Sequence, residues 1–255
     1  MCKIRTIIVL LFVCLFTSFA QTRKYPMALG VYYESNNDLT KRGKTYGGGV
    51  TSDYSTTRDR LGLEVLYGLT KRLQMESGLG ITAYNSELLM GKGINTSVPT
   101  MINISSLNLV LSQKALYNVF DIACGEYFKI SFSPYVTLAY EQFLSKNRER
   151  EYPSGDQNYL FSESADRIIN TSNMPAVIGK TKEPVGILSV IGGISAEALI
   201  GKKIGVSGEL GYSHSLFGHS IIDVKWRYEG DEIHSDSFKS ENSGLSAKVK
   251  LHFYF

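Results

Sequence analysis

Cysteine is nearly absent, with three residues in a chain of 255. Cys2 and Cys14 fall in the first twenty positions, and only Cys124 follows. One cysteine closes no internal disulfide, which excludes a disulfide-stapled secreted domain. Excess charge is lacking too. Lys and Arg total 27 against 24 Asp and Glu, and the net +3 is too small to imply nucleic acid or an anionic surface as partner. No repeat of roughly 20–50 residues and no low-complexity linker marks a domain boundary. Beyond the first twenty residues no apolar run nears the ~18 residues that a spanning helix requires. An exported chain of this kind either stays soluble or crosses a membrane as strands. Lipid leaves backbone groups without hydrogen-bond partners, so strands can cross it only as a closed barrel.

The N-terminus carries the export signal. Lys3 and Arg5 give a positive start, Ile7 to Phe16 are apolar, and Ser18-Phe19-Ala20 place small residues at −3 and −1 of a cleavage point before Gln21. A lipoprotein reading through Cys14 fails because Val13, not a small residue, precedes it. The expected organisation is a signal peptide over 1–20 and one domain over 21–255.

The full chain is rich in residues that suit a barrel: 24 Gly, 16 Tyr and 12 Phe against 6 Pro and 1 Trp. Its mean hydropathy is near zero, as expected where each strand pairs lipid-facing apolar with lumen-facing polar residues. The last ten residues alternate strictly. Ala247, Val249, Leu251, Phe253 and Phe255 share one face, and Ser246, Lys248, Lys250, His252 and Tyr254 share the other. Similar alternation runs through Tyr25–Glu34, Arg60–Leu69, Arg72–Tyr84, Lys129–Glu141, Leu188–Ile200 and Ile204–Ser213. Pro134 removes one ladder donor from its strand. In Met101–Ser112 the apolar parity changes from Ile102 and Ile104 to Leu107, Leu109 and Leu111, which predicts a β-bulge at Ser105-Ser106.

Eight strands follow, with ten as the alternative if Tyr46–Tyr54 form strands of their own. Thr70-Lys71 and Gly201-Lys202 make tight turns, a looser one follows the fourth strand, and the other connections are long and polar. This asymmetry predicts an all-β, closed antiparallel transmembrane barrel with short periplasmic turns and long extracellular loops. The rival class is a soluble secreted β-barrel or β-sandwich, which would bury its apolar residues and expose Lys248 and Lys250.

The run Leu63-Glu64-Val65-Leu66-Tyr67-Gly68-Leu69-Thr70-Lys71-Arg72-Leu73-Gln74-Met75-Glu76-Ser77-Gly78-Leu79-Gly80 resembles the second hairpin of small Bacteroidetes outer-membrane β-barrel proteins, a group that includes the PorT-like proteins. The Phe-terminated last strand resembles the closing strand that the barrel-assembly machinery reads. These resemblances imply a fold and a place in the envelope, and no particular activity.

The faces assigned inward hold Glu34, Arg60, Glu64, Arg72, Glu76, Lys129, Glu141, Glu197, Glu209, Lys248 and Lys250. A packed polar interior is expected, with Glu209 paired to Lys248 or Lys250 and no open pore. Four histidines occur: His214, His219, His234 and His252. Tyr212 to Ser220 invites comparison with barrels that place a Ser–His–acid set at the rim, such as lipid A deacylases. His214 and Ser215 point to opposite strand faces, however, and His214 with His219 lack further ligands for a metal. The expectation is a non-catalytic structural or surface-binding barrel with no catalytic residue, metal or cofactor. Its partners are outer-membrane lipid and lipopolysaccharide, the assembly machinery, and an unidentified ligand of the loops, of which Arg148–Glu151 opens the longest.

Overall fold

The computed structural model describes residues 27–38, 50–92, 100–123, 128–144, 149–154, 176–201, 203–227 and 234–255. The expected signal peptide, residues 1–20, lies outside them. Eight long strands form the wall: β1 (Met27–Asp38), β2 (Val50–Gly68), β3 (Leu73–Lys92), β4 (Thr100–Tyr117), β6 (Phe128–Phe143), β9 (Gly186–Ile200), β10 (Ile204–Phe217) and β13 (Gly244–Tyr254). A short β5 (Phe120–Ala123) continues β4. Every neighbouring pair is antiparallel, in the order β4-β3-β2-β1-β13-β10-β9-β6, and β6 pairs back to β4. The barrel is closed, with eight strands. Ten are excluded among the described residues, because Val50–Tyr54 belong to β2, in register with β3 from Val50↔Lys92 to Gly68↔Gln74.

The wall is apolar outside and charged inside. Leu29, Val31, Leu61, Leu63, Leu79, Ile81, Val136, Leu138, Ile194, Leu210 and Val249 are exposed on the outer face, while Glu64, Arg60, Lys250 and Glu209 are buried. A soluble barrel reverses this arrangement. Exposed Tyr33, Tyr212 and Phe217 sit towards one rim and Tyr117, Phe120, Phe128, Phe253 and Phe255 towards the other, which matches the two aromatic girdles of a membrane barrel. The Leu69–Arg72 connection is held by Thr70, whose hydroxyl accepts from the backbone N–H groups of Arg72 and Leu73 at 3.2 and 2.9 Å. Gly201 takes φ +59° in the other tight turn, a conformation open to glycine at little cost.

The predicted bulge at Ser105-Ser106 is corrected. The β3–β4 ladder runs without a shift from Leu73↔Tyr117 to Met90↔Thr100. Ile102 and Ile104 are buried, at 1% and 2% exposure, because the interior itself turns apolar at that height. The irregularity lies elsewhere. Between Leu116↔Tyr135 and Phe120↔Phe132 the register slips by one residue, with Tyr117, Asn118 and Val119 opposite Ser133 and Pro134. Proline thus occupies a bulge, where a missing ladder donor is tolerated.

A second sheet forms from the long connections: β7 (Glu149–Ser154) and β8 (Ala176–Lys182) from one, β11 (Ile221–Arg227) and β12 (His234–Lys239) from another, in the order β12-β11-β8-β7. Arg148 lies outside the described residues, and Arg150–Glu151 pair in β7 with Thr181 and Lys180 of β8. The long polar loop therefore contains regular structure. Ile222, Val224 and Trp226 of β11 pack with Tyr54, Tyr84, Leu88, Ile102, Ile104, Phe143 and Ile187 in one buried cluster. The loop sheet caps the barrel.

Candidate functional site

The inner face carries a stack of ion pairs, built because alternate residues of each strand point inward and the strands converge across a narrow lumen. Nearest the cap, Arg58 is fully buried; its Nη2 donates to the Asn242 carbonyl at 2.7 Å and to Asn36 Oδ1 at 3.1 Å. Asn242 has φ +50°, a left-handed conformation that asparagine tolerates. Its Nδ2 donates to the Gly218 carbonyl at 2.9 Å, and its Oδ1 accepts from the Tyr84 hydroxyl at 3.2 Å. One residue therefore ties the turn before β13 to the lumen and to the foot of the cap.

Below it, Arg60 bridges Glu34 at 3.0 Å and Glu141 at 3.3 Å. Glu141 also accepts from Asn108 Nδ2 at 2.7 Å, and Glu34 from the Ser246 hydroxyl at 3.0 Å. The next layer joins three lysines to three glutamates. Lys248 reaches Glu64 at 2.6 Å; Lys250 reaches Glu76 and Glu209, each at 2.6 Å; Lys114 reaches Glu209 at 2.6 Å and Glu76 at 2.9 Å. The expected pairing of Glu209 is thus realised with Lys250. Aromatic faces complete the desolvated shell: Lys248 Nζ lies 3.9 Å from the Tyr32 ring centre and Lys114 Nζ 4.9 Å from that of Tyr135. Tyr32 fits because Gly62 and Gly80, paired across β2 and β3, present bare backbone. A Cβ at Gly80 would sit 2.6 Å from the tyrosine oxygen.

His252 forms the floor, with Nε2 2.8 Å from Glu64 and Nδ1 3.1 Å from Glu197, whose same oxygen accepts from the Tyr254 hydroxyl at 2.7 Å. Glu64, Glu76 and His252 bring one ligand atom each within 4.8 Å of one another, close enough to surround a divalent cation. Lys248 and Lys250 already neutralise those carboxylates, so a metal would have to expel a buried ammonium. The donor set does not fit a metal centre. The pocket among these layers, lined by Tyr32, Arg60, Lys114, Glu209 and Lys248, holds about 10 Å³, space for a single water.

Two residues assigned inward do not join the network. Arg72 is exposed in the β2–β3 turn. Lys129 lies at the rim, paired at 2.7 Å with Asp121 and about two-fifths exposed. Partial burial pulls the Asp121 carboxyl upward, but hydrogen bonds with Lys129, Asn118 and Ser131 hold it below the ordinary range. Among the other histidines, His214 Nδ1 lies 3.3 Å from Ser243 Oγ, His219 Nδ1 lies 2.6 Å from the Ser240 carbonyl oxygen, and His234 stacks on Trp226 at 4.4 Å. His214 therefore meets neither Ser213 nor Ser215. Arg58 and Lys114 were not anticipated; both lie just beyond the strand limits that alternation suggested, on the correct parity.

No protein-family model matches the chain, and no curated protein matches it. Among solved structures, the outer membrane protein OprG from Pseudomonas aeruginosa is similar at 9% identity and TM-score 0.47, over 91% of this chain and 96% of that one. A major outer membrane protein from Thermus thermophilus is similar at 12% identity and TM-score 0.40, over 90% and 99% of the two chains.

Proposed function

We propose that the chain is an integral outer-membrane barrel with a non-catalytic role, structural or binding, exerted through its capping loop sheet. The observation that carries this reading is the pairing of an apolar outer belt with a lumen closed by matched charges. Such a body sits in lipid and conducts nothing, leaving the loops as its active surface. In this orientation the short turns face the periplasm and the cap faces outward, and the N-terminal signal and the Phe255 terminus serve export and assembly. The likeness of the Leu63–Gly80 hairpin to PorT-like barrels enters as architecture alone. Lipid and lipopolysaccharide surround the belt, and the loop sheet takes an envelope or extracellular partner.

Fractionation with heat-modifiable gel mobility tests the placement; recovery from the soluble periplasm would overturn it. A second reading, a rim lipid hydrolase, draws on the His214–Ser243 contact. Nucleophilic catalysis needs an acid behind the histidine, and the Ser243 hydroxyl is bonded to the Glu241 carbonyl at 3.1 Å. An unchanged lipid A profile in a deletion strain discards this reading. Loss of lipid A processing both on deletion and in His214→Ala would replace ours.

A further inference from the structure

The charge stack stops short of the end bearing the tight turns. Below it lies a vestibule of about 600 Å³, open at one end, within the size range of small-molecule sites. Lys71, from the β2–β3 turn, and Lys203, from the β9–β10 turn, both line it. In the strand order these two turns lie on opposite sides of the ring, so the two lysines line the vestibule from opposite walls. Neither has a carboxylate partner among the described residues, whereas Lys129, the third rim lysine, is held by Asp121. Deeper in the wall, Ser207 is 3% exposed and its hydroxyl has no hydrogen-bond partner. A buried hydroxyl left unpaired is costly and calls for a polar occupant. The acids here, Glu76 and Glu197, are already matched by lysine and by His252 with Tyr254.

We propose that this vestibule binds the phosphate ester of a small polyol. Two opposed lysines act as point charges on a group with several acceptor oxygens, which phosphate offers and a single carboxylate does not. The polyol hydroxyls then meet Ser207 at the wall. The same chemistry has two sources, a soluble polyol phosphate or a phosphoglycerol lipid headgroup from the adjacent leaflet. Phe255 lines the same mouth.

Glycerol 3-phosphate titrated calorimetrically into the purified full barrel in zwitterionic micelles tests this. Saturable binding is expected, weaker for inorganic phosphate, which lacks the hydroxyls. Lys71→Gln and Lys203→Gln should each weaken it about tenfold, as expected for one charge-assisted contact. Both residues are exposed in turns, so heat-modifiable mobility should stay normal. Ser207→Ala should weaken glycerol 3-phosphate and leave inorganic phosphate unchanged. Repeating the titration in phosphatidylcholine nanodiscs with and without phosphatidylglycerol separates the sources. Competition by phosphatidylglycerol identifies the headgroup, and unchanged affinity identifies the soluble ester. Absence of saturable binding, or binding indifferent to the double lysine replacement, overturns the proposal.

Discussion

Lys250→Met tests the charged lumen most directly. The ammonium is 1% exposed and lies 2.6 Å from Glu76, 2.6 Å from Glu209 and 3.7 Å from Glu64. Its removal leaves those three carboxylates facing Lys114, Lys248 and, at Glu64, His252. Uncompensated burial of one charge costs about 3–5 kcal/mol, which at a urea dependence of about 2 kcal/mol per molar lowers the unfolding midpoint by roughly 2 M. Circular dichroism of the barrel folded in lipid vesicles, titrated with urea, reads the shift. Lys129→Gln supplies the contrast, because its pair with Asp121 has the same chemistry and a similar 2.7 Å length but is about two-fifths exposed. That loss should stay within about 0–1 kcal/mol. The folded-state pKa of Asp121 is depressed, so its stabilisation is present above the ordinary carboxylate pKa and lost as pH falls through the folded value. The difference between Lys129→Gln and the parent should therefore vanish in acid. Lys250→Met combined with Glu76→Gln restores the balance of charge and should recover part of the loss. Equal losses at positions 250 and 129, or strict additivity in the double variant, would refute the burial account.

Deleting Phe255 should lower the amount of protein in the outer membrane while barely altering the unfolding midpoint of barrels that do assemble; immunoblots of fractionated membranes measure the first quantity. Planar-bilayer recordings of purified protein should lack a steady large conductance, since the lumen is blocked at several levels. Asn242→Ala should cost about 1–3 kcal/mol, combining the lost contacts to Tyr84 and Gly218 with a left-handed backbone that alanine resists. Asn242→Gly should recover the backbone share alone. Gly80→Val should drive Tyr32 out of its seat and destabilise the barrel more than Gly208→Val, where an added Cβ meets nothing within 4 Å.

Strand count, wall order and most of the inward set, Arg72 and Lys129 excepted, were legible because alternation is a local signal, repeated in each strand and reinforced by turn length. What escaped was set by non-local contacts. Alternation in hydrophobicity fades where β2 and β4 rise above the lipid and their inward residues meet the cap. Ile102 and Ile104 therefore looked like a break in parity and Tyr54 like the end of a separate strand, although the ladders there are continuous. Arg58 and Lys114 were lost the same way, at strand ends trimmed too early. The cap has no signature of its own: β7 and β11 pair with β8 across long stretches of chain, and a polar composition gave no hint of Trp226 buried beneath them. His252 fell on the right face, but nothing along the chain announces that it meets Glu64, from the second strand, and Glu197, from the sixth long strand.

The order in which the charges occur along the chain limits how the protein can be made. Glu34, Glu64 and Glu76 lie in the first three strands, whereas Lys248 and Lys250, which neutralise two of these, arrive only with the last. Lys114, on the fourth strand, likewise waits for Glu209 on β10 across the ring. A sheet that entered the bilayer without its last strand would carry Glu64 bare into hydrocarbon, since Lys248, Lys250 and His252 all lie on that strand, together with an open edge. Partial products on such a route are costly. The final strand both zips the seam to β1 and discharges the interior, so completion of the ring and tolerance of the membrane are one event.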